Sequence, residues 1–393
     1  MFYLQSIIVY TLLTFLMCAF AGRAEKTPSK ASLWGWMPVI LFTLVFGLRY
    51  GVGVDYSNYL RIYEYTEGYN SLADMLENER YEPGFILLLY VCHYLQAPVY
   101  VLFSIIAFIQ IFLLYKAFKN ENGILPYIYA TLILTGFCMY SFMNILRHEV
   151  AFCIFLFSLQ YIRDNKPIKY WICCLLALSF HHSALLIFPL YFIWIKRKSI
   201  LNKPYIELIA VLVCFAMSFV TKWQNMLHYF DNLIIMFGYE DYLDIADDMV
   251  VNSKIGITRL LNLAVNCLII INSKKIKEYF NSDLLNILYD LYVVGVCLGY
   301  IFLGSMMFGR IIIYFNHTQF IILAYTLCYL HQTRKQDAMQ LTRYVVIVLF
   351  VFISYSSFIY NCKKNTGAYV SYFQTDLHLE KDNLRHEALS KHN

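Results

Sequence analysis

The chain is 393 residues long, 60% hydrophobic and 18% aromatic, with only 15% charged side chains. This balance excludes a soluble globular enzyme, because apolar runs recur at the ~20 residues needed to cross a bilayer. The net charge of +5 sits mainly in short loops, so it orients a membrane protein and supplies no basic tail for nucleic acid.

Residues 1–21 lack a basic n-region and a small-residue cleavage site, so they read as a first anchor that stays in place. Hydropathy then predicts an all-α, polytopic bundle of about twelve spans (range 10–12). The spans run near 2–21, 32–48, 98–118, 123–142, 145–162, 168–181, 182–195, 205–221, 256–272, 284–304, 309–330 and 341–360. Six basic loops, among them Arg163/Lys166/Lys169 and Lys274/Lys275/Lys277, belong on the cytoplasmic side by the positive-inside rule, and parity puts both termini outside.

Two segments test that count. The apolar run from Phe85 to Tyr94 is too short to span, so residues 84–95 are predicted as a re-entrant or interfacial helix. Between Tyr170 and Ile195, the polar step Phe180-His181-His182-Ser183 interrupts an otherwise apolar stretch. Two short helices meeting at the histidines keep the Lys196 cluster inside. Residues 49–82 and 222–255 then become large external loops rich in tyrosine, tryptophan and acidic residues. Residues 1–361 form one integral membrane domain, and 362–393 a polar C-terminal tail or short surface helix. The eleven cysteines are scattered through apolar spans without paired metal spacing and read as small buried hydrophobes.

The chemistry gathers where spans end. Arg49, Arg61, Arg80, Arg147, Arg259 and Arg310 all fall at or near the predicted outer face. Charge at the edge of a bundle marks a functional site by default, and a guanidinium fork suits phosphate. Pairing with Asp55, Glu82 or Glu149, or snorkelling to the interface, fits the same residues. Asp55 follows a Gly51-Val52-Gly53 turn and Glu82 precedes Pro83-Gly84, so both carboxylates face the same compartment as candidate bases, or else cap a helix or satisfy one of the arginines. His181 and His182 are equally open to catalytic and structural roles. The acidic run Glu240, Asp241, Asp244, Asp247 and Asp248 reads as a solvated loop helix ahead of a cation site. Intramembrane tyrosines such as Tyr140 and Tyr314 suit the aromatic belt or core.

In order and context these motifs resemble the EpsG-like branch of the Wzy-type bacterial exopolysaccharide and O-antigen polymerases. The likeness is carried by LRYGVGVDYSNY from Leu48, YEPGF at Tyr81–Phe85, NILRHEVA at Asn144–Ala151, FHHSALL at Phe180–Leu186 and FGRIIIYF at Phe308–Phe315. It covers roughly residues 30–330. Val54 stands where the family commonly has threonine, and His148-Glu149 where it has Gln-Gly.

The resemblance implies polymerisation of undecaprenyl-pyrophosphate-linked oligosaccharide units at the outer face of the bacterial cytoplasmic membrane, by inverting glycosyl transfer without a cofactor or metal. A chain-length regulator and a flippase of the same pathway would be its partners. On that reading Arg147, Arg310, Asp55, Glu82 and His181 are the catalytic candidates, and Arg49, Tyr56, Tyr59, Arg61, Arg80 and Tyr314 bind substrate. Two rivals stay open: a lipid-linked-sugar-dependent transferase adding one branch sugar, and a flippase of the same glycan.

Overall fold

A computed structural model describes residues 2–27, 33–119, 125–194, 199–219, 256–303, 306–364 and 367–383. Among them are helices and turns, and one isolated antiparallel bridge, between Arg49 and Ser371. The acidic run at 240–248 and the loop 222–255 lie outside the described residues.

The first half of the bundle contains α1 (Phe2–Lys26), α2 (Leu33–Gly47), α3 (Tyr56–Thr66), α4 (Leu72–Asn78), α5 (Pro83–Tyr94) and α6 (Val99–Lys119). A broken helix follows, α7 (Tyr127–Phe137) and α8 (Met139–Asn144), then α9 (Leu146–Arg163) and α10 (Pro167–Leu178). The second half holds a 3₁₀ turn at His182–Ile187, α11 (Leu190–Trp194), α12 (Pro204–Met217), α13 (Ile257–Phe280) and α14 (Asp283–Ile301). Another broken helix comes next, α15 (Met306–Ile311), α16 (Ile313–Asn316) and α17 (Thr318–Thr333), before the long α18 (Ala338–Lys364).

Local chemistry accounts for many of the ends. Proline opens α5, α10 and α12, where its missing N–H costs no hydrogen bond. Ser71 and Ser282 cap α4 and α14 by accepting from Asp74 N and Leu285 N. Asn281 closes α13 in the left-handed region at φ 45°.

Among the described residues, four helices are long and apolar enough to cross a membrane: Tyr3–Lys26, Val99–Lys119, Asp283–Ile301 and Ala338–Tyr360. Shorter apolar helices include α2, α5, α10 and α12. The outward faces of α1, α10, α12 and α18 are lined by exposed leucine, isoleucine, valine and phenylalanine, such as Phe15 at 68% and Phe352 at 65%. So much contiguous apolar surface is compatible with lipid and not with water. The chain is a membrane protein.

One core runs through the molecule from Tyr10 to Tyr369. Helix α9 sits at its centre, packed on α6, α10, α14 and the 3₁₀ turn, with buried residues on all sides from Leu146 to Ile162. α2 packs on α6; α14 packs on α12, α16 and α17; α1, α7 and α18 join the two halves. The predicted break at Phe180–Ser183 is present, but the described part of the span predicted at 182–195, residues 182–194, forms the 3₁₀ turn and the five-residue α11 in place of a continuous helix. The short helix predicted near 84–95 is α5.

The segment 367–383 returns to the bundle. Tyr50 N donates to Val370 O at 2.8 Å and Tyr372 N to Leu48 O at 2.7 Å, while Tyr369 N reaches Ser6 Oγ at 2.8 Å. The Tyr10 hydroxyl donates to Gly367 O at 2.9 Å, and Ala368 and Val370 are buried. Polar composition had suggested a tail here. Each of these hydrogen bonds uses a backbone group of the segment, to which composition is blind.

Candidate active site

The N-terminus of α9 is the hub. Arg147 is its second residue and forms an ion pair with Glu82, the residue that precedes Pro83 at the start of α5. The Glu82 side chain is 4% exposed and that of Arg147 23%, so the carboxylate is enclosed while the arginine side chain is only partly covered. The aromatic rings of Tyr81 and Phe85 lie 5.0 and 5.5 Å from the guanidinium carbon. Tyr59, on α3, lies beside Arg147. Burial raises its phenol above the usual range and the arginine opposes that shift, so Tyr59 is a neutral hydroxyl at working pH.

Gly84 brings two sequence motifs together. Its N–H donates to Ser179 O at 2.7 Å, and a Cβ there would meet the Ser179 hydroxyl and carbonyl at 2.6 and 2.7 Å. With no side chain at 84, YEPGF closes on the FHHS step, and the second Glu82 oxygen accepts from His182 N at 3.3 Å. Glu82 is therefore shared between an arginine and a backbone amide.

Behind Arg147 lies a histidine–serine–tyrosine cluster. His148 stacks on His181 with ring centres 4.1 Å apart and planes within 9°. The Ser183 hydroxyl lies 3.1 Å from His148 Nε2, 2.8 Å from His181 Nδ1 and 3.2 Å from the Tyr314 hydroxyl. His148, Ser183 and Tyr314 are all buried. Arg310, on α15, is near enough for its charge to act on both histidines. Glu149, fully buried, accepts from the Ser141 hydroxyl and faces His317 Nδ1 at 3.3 Å. Among the described residues, Glu149 Oε2 and His148 Nδ1 have no hydrogen-bond partner.

The expected site residues therefore divide. Glu82, Arg147, His181, Tyr59 and Tyr314 come together, with Arg310 bordering them. Asp55 opens α3 half-buried, its N–H bonded to Asn144 Oδ1 at 3.0 Å, three residues before Arg147. Gly53 makes that turn at φ +103°, with Met143 O only 3.1 Å from where a Cβ would sit. Arg61 and Arg80 are exposed on the segment 49–82.

Arg49 is engaged elsewhere. It is 1% exposed, donates to the carbonyls of Phe46 and Met143, lies over Phe103 at 4.7 Å, and is bridged to Ser371. Tyr56 is buried in the same layer, ring to ring with Tyr50 and Phe103. Ser183 and His317 are not among the site residues expected from sequence; His148 stands there only as a departure from the family pattern, and Glu149 as such a departure and as a possible partner for an arginine. His317 did carry a signal, since it interrupts the apolar run 309–330 as His181 interrupts 170–195.

Comparison with family models matches residues 33–373 to the EpsG family. The chain belongs to the EpsG family. That family is one of Wzy-like polymerases, so this member is exopolysaccharide-related and polymerase-like. The match spans both halves of the bundle and every residue of the Arg147 cluster. No curated protein and no solved structure matches the chain.

Proposed function

We propose that this EpsG-family protein polymerises undecaprenyl-pyrophosphate-linked oligosaccharide repeat units at the outer face of the bacterial cytoplasmic membrane. The observation that carries the reading is the partly covered Arg147 side chain, oriented by Glu82, beside the His148–His181–Ser183 cluster. A fixed cation at a helix N-terminus, where the dipole also favours anions, suits the charge that develops on a departing pyrophosphate.

In the proposed reaction an acceptor sugar hydroxyl bonds to the anomeric carbon of the growing glycan as the bond from that carbon to the pyrophosphate oxygen breaks. The electron pair leaves with the pyrophosphate, toward Arg147 and Arg310. The hydroxyl proton passes to His181 or Asp55. Glu82 is already committed to Arg147 and His182 N, which favours a positioning role. Inverting stereochemistry is carried over from the family. Arg61 and Arg80, exposed beside the site, would approach the lipid-linked substrate, whereas the burial of Arg49 and Tyr56 favours structural roles.

The same proposal includes about twelve passes with the basic loops inside and residues 49–82 and 222–255 outside. Residues 1–361 then form one membrane domain, working with a flippase and a chain-length regulator. Deletion in the source bacterium followed by sizing of lipid-linked glycan tests it. A single accumulated repeat unit is expected, and a restored ladder on complementation. Unchanged polymer, or polymer lacking only a branch sugar, would overturn it.

A further inference from the structure

A second polar site lies on the far side of Glu149. Between α13, α14 and the helix break at α16–α17 is a cavity of about 450 Å³, within the roughly 300–1,000 Å³ common for small-molecule sites. Its polar wall is built from amides: Asn262, Asn266, Asn316 and Gln319, with Arg259 and His317 at its sides. Among the described residues that line it there is no carboxylate and no lysine.

The amides are held in place. The Asn266 amide nitrogen donates to Asn262 Oδ1 at 2.6 Å and to the Tyr300 hydroxyl at 3.2 Å; Asn266 Oδ1 accepts from Tyr292 at 2.8 Å and Gln319 Nε2 at 3.1 Å. Such a network fixes which way each amide points before a ligand arrives. The space depends on Gly295 and Gly299, one turn apart on α14. A Cβ on Gly295 would lie 2.6 Å from the Phe315 carbonyl, and one on Gly299 3.2 Å from Asn316 Oδ1. Close backbone approach at 295 and the missing side chain at 299 let the Asn316 amide sit on the cavity wall.

We propose that this cavity is a saccharide subsite, in which Asn262, Asn316 and Gln319 hold the hydroxyls of a sugar ring of the lipid-linked substrate and the fully bonded Asn266 fixes how Asn262 and Gln319 point. The assignment rests on the polymerase reading and extends it to residues outside the Arg147 cluster. The amide nitrogen of Asn262, the amide of Asn316 and the amide oxygen of Gln319 take no part in the Asn266 network, and together they offer donors and acceptors as a sugar hydroxyl does, whereas an acyl chain would leave them unmatched. Polar groups this deep in a helical bundle mark a substrate path. A wall with one arginine and several neutral amides matches a polyol better than a pyrophosphate. The Glu149–His317 contact at 3.3 Å joins this wall to the helix that carries Arg147.

The test uses full-length protein purified in detergent. The probe is the reducing oligosaccharide released by mild acid from the lipid-linked units that the deletion strain accumulates. Asn262→Leu and Gln319→Leu should each weaken its binding about tenfold, the loss of one to two hydrogen bonds, and shorten the polymer made in cells. Arg147→Gln should bind the probe as wild type does and make no polymer. Should a leucine variant fail to fold, Asn262→Ala, which only removes atoms, is read in its place.

If the cavity variants bind and polymerise normally while Arg147→Gln is inactive, the subsite is lost and the polymerase reading stands. If the deletion strain accumulates no lipid-linked unit, the polymerase reading fails and the subsite falls with it.

Discussion

At the scale of single residues, neighbouring side chains with the same chemistry received different occupations. Arg49 and Arg147 are both arginines at the end of an apolar run, and in the sequence nothing separates them. In the structure Arg49 is spent on two backbone carbonyls and an aromatic face, while Arg147 keeps 23% of its side chain open beside an enclosed carboxylate. The planar fork is what Glu82 and a phosphate would both grip, and an ammonium does not reproduce it. Arg147→Lys is therefore expected to lower polymer yield per folded molecule by about 10²–10³-fold, the scale of losing one stabiliser of developing charge. Gel sizing of the product in a strain lacking its own polymerase reads this. Normal polymer from a normally melting Arg147→Lys protein would remove Arg147 from the chemistry. The residues that sequence reasoning passed over, Ser183 and His317, are ordinary polar residues until partners from distant parts of the chain converge on them. Ser183 meets His148 and Tyr314, 35 and 131 positions away.

At the scale of elements, the site depends on helices that stop. α10 ends before the histidines, α5 starts at Pro83, and α15, α16 and α17 break around Ile312 and His317, delivering polar side chains where an unbroken helix would present leucine. The breaks at Pro83 and at His181-His182 were legible in advance because proline and paired histidines are strong local signals. The division of 309–330 into three pieces was legible only in part: the polar run Asn316–Gln319 marks the break at His317, but nothing announces the one at Ile312. Two glycines hold these broken ends against their neighbours. Gly84→Ala would drive a Cβ into Ser179, and Gly295→Ala one into the Phe315 carbonyl. Because the obstacle in both cases includes backbone, each change is expected to cost about 1–3 kcal/mol, the usual penalty for overpacking. Detergent melting curves should show both midpoints falling. An unchanged midpoint for Gly84→Ala would mean the α5–Ser179 approach is looser than described.

At the scale of the whole molecule, the C-terminal segment closes the layer that buries Arg49. Tyr50 pairs with Val370, its ring stacks on His378 at 3.5 Å, and its hydroxyl donates to Asp382 at 3.0 Å. Truncation after Lys364 removes all of these and opens the Arg49 layer to water. It is expected to lower the melting midpoint and to reduce polymer without altering its linkage. A truncated chain of wild-type stability would show that the segment only rests on the bundle.

The sequence by itself determined that this is a helical membrane protein of the EpsG kind. It also singled out Glu82, Arg147, His181 and Arg310. Hydropathy and ordered motifs are local properties that survive without coordinates. Tertiary structure alone decided which arginine stays open, that Glu149 meets His317, and that Asn262, Asn266 and Gln319 enclose a cavity with Asn316. Those facts depend on which side chains converge from far apart in the chain, and neither composition nor periodicity encodes that convergence.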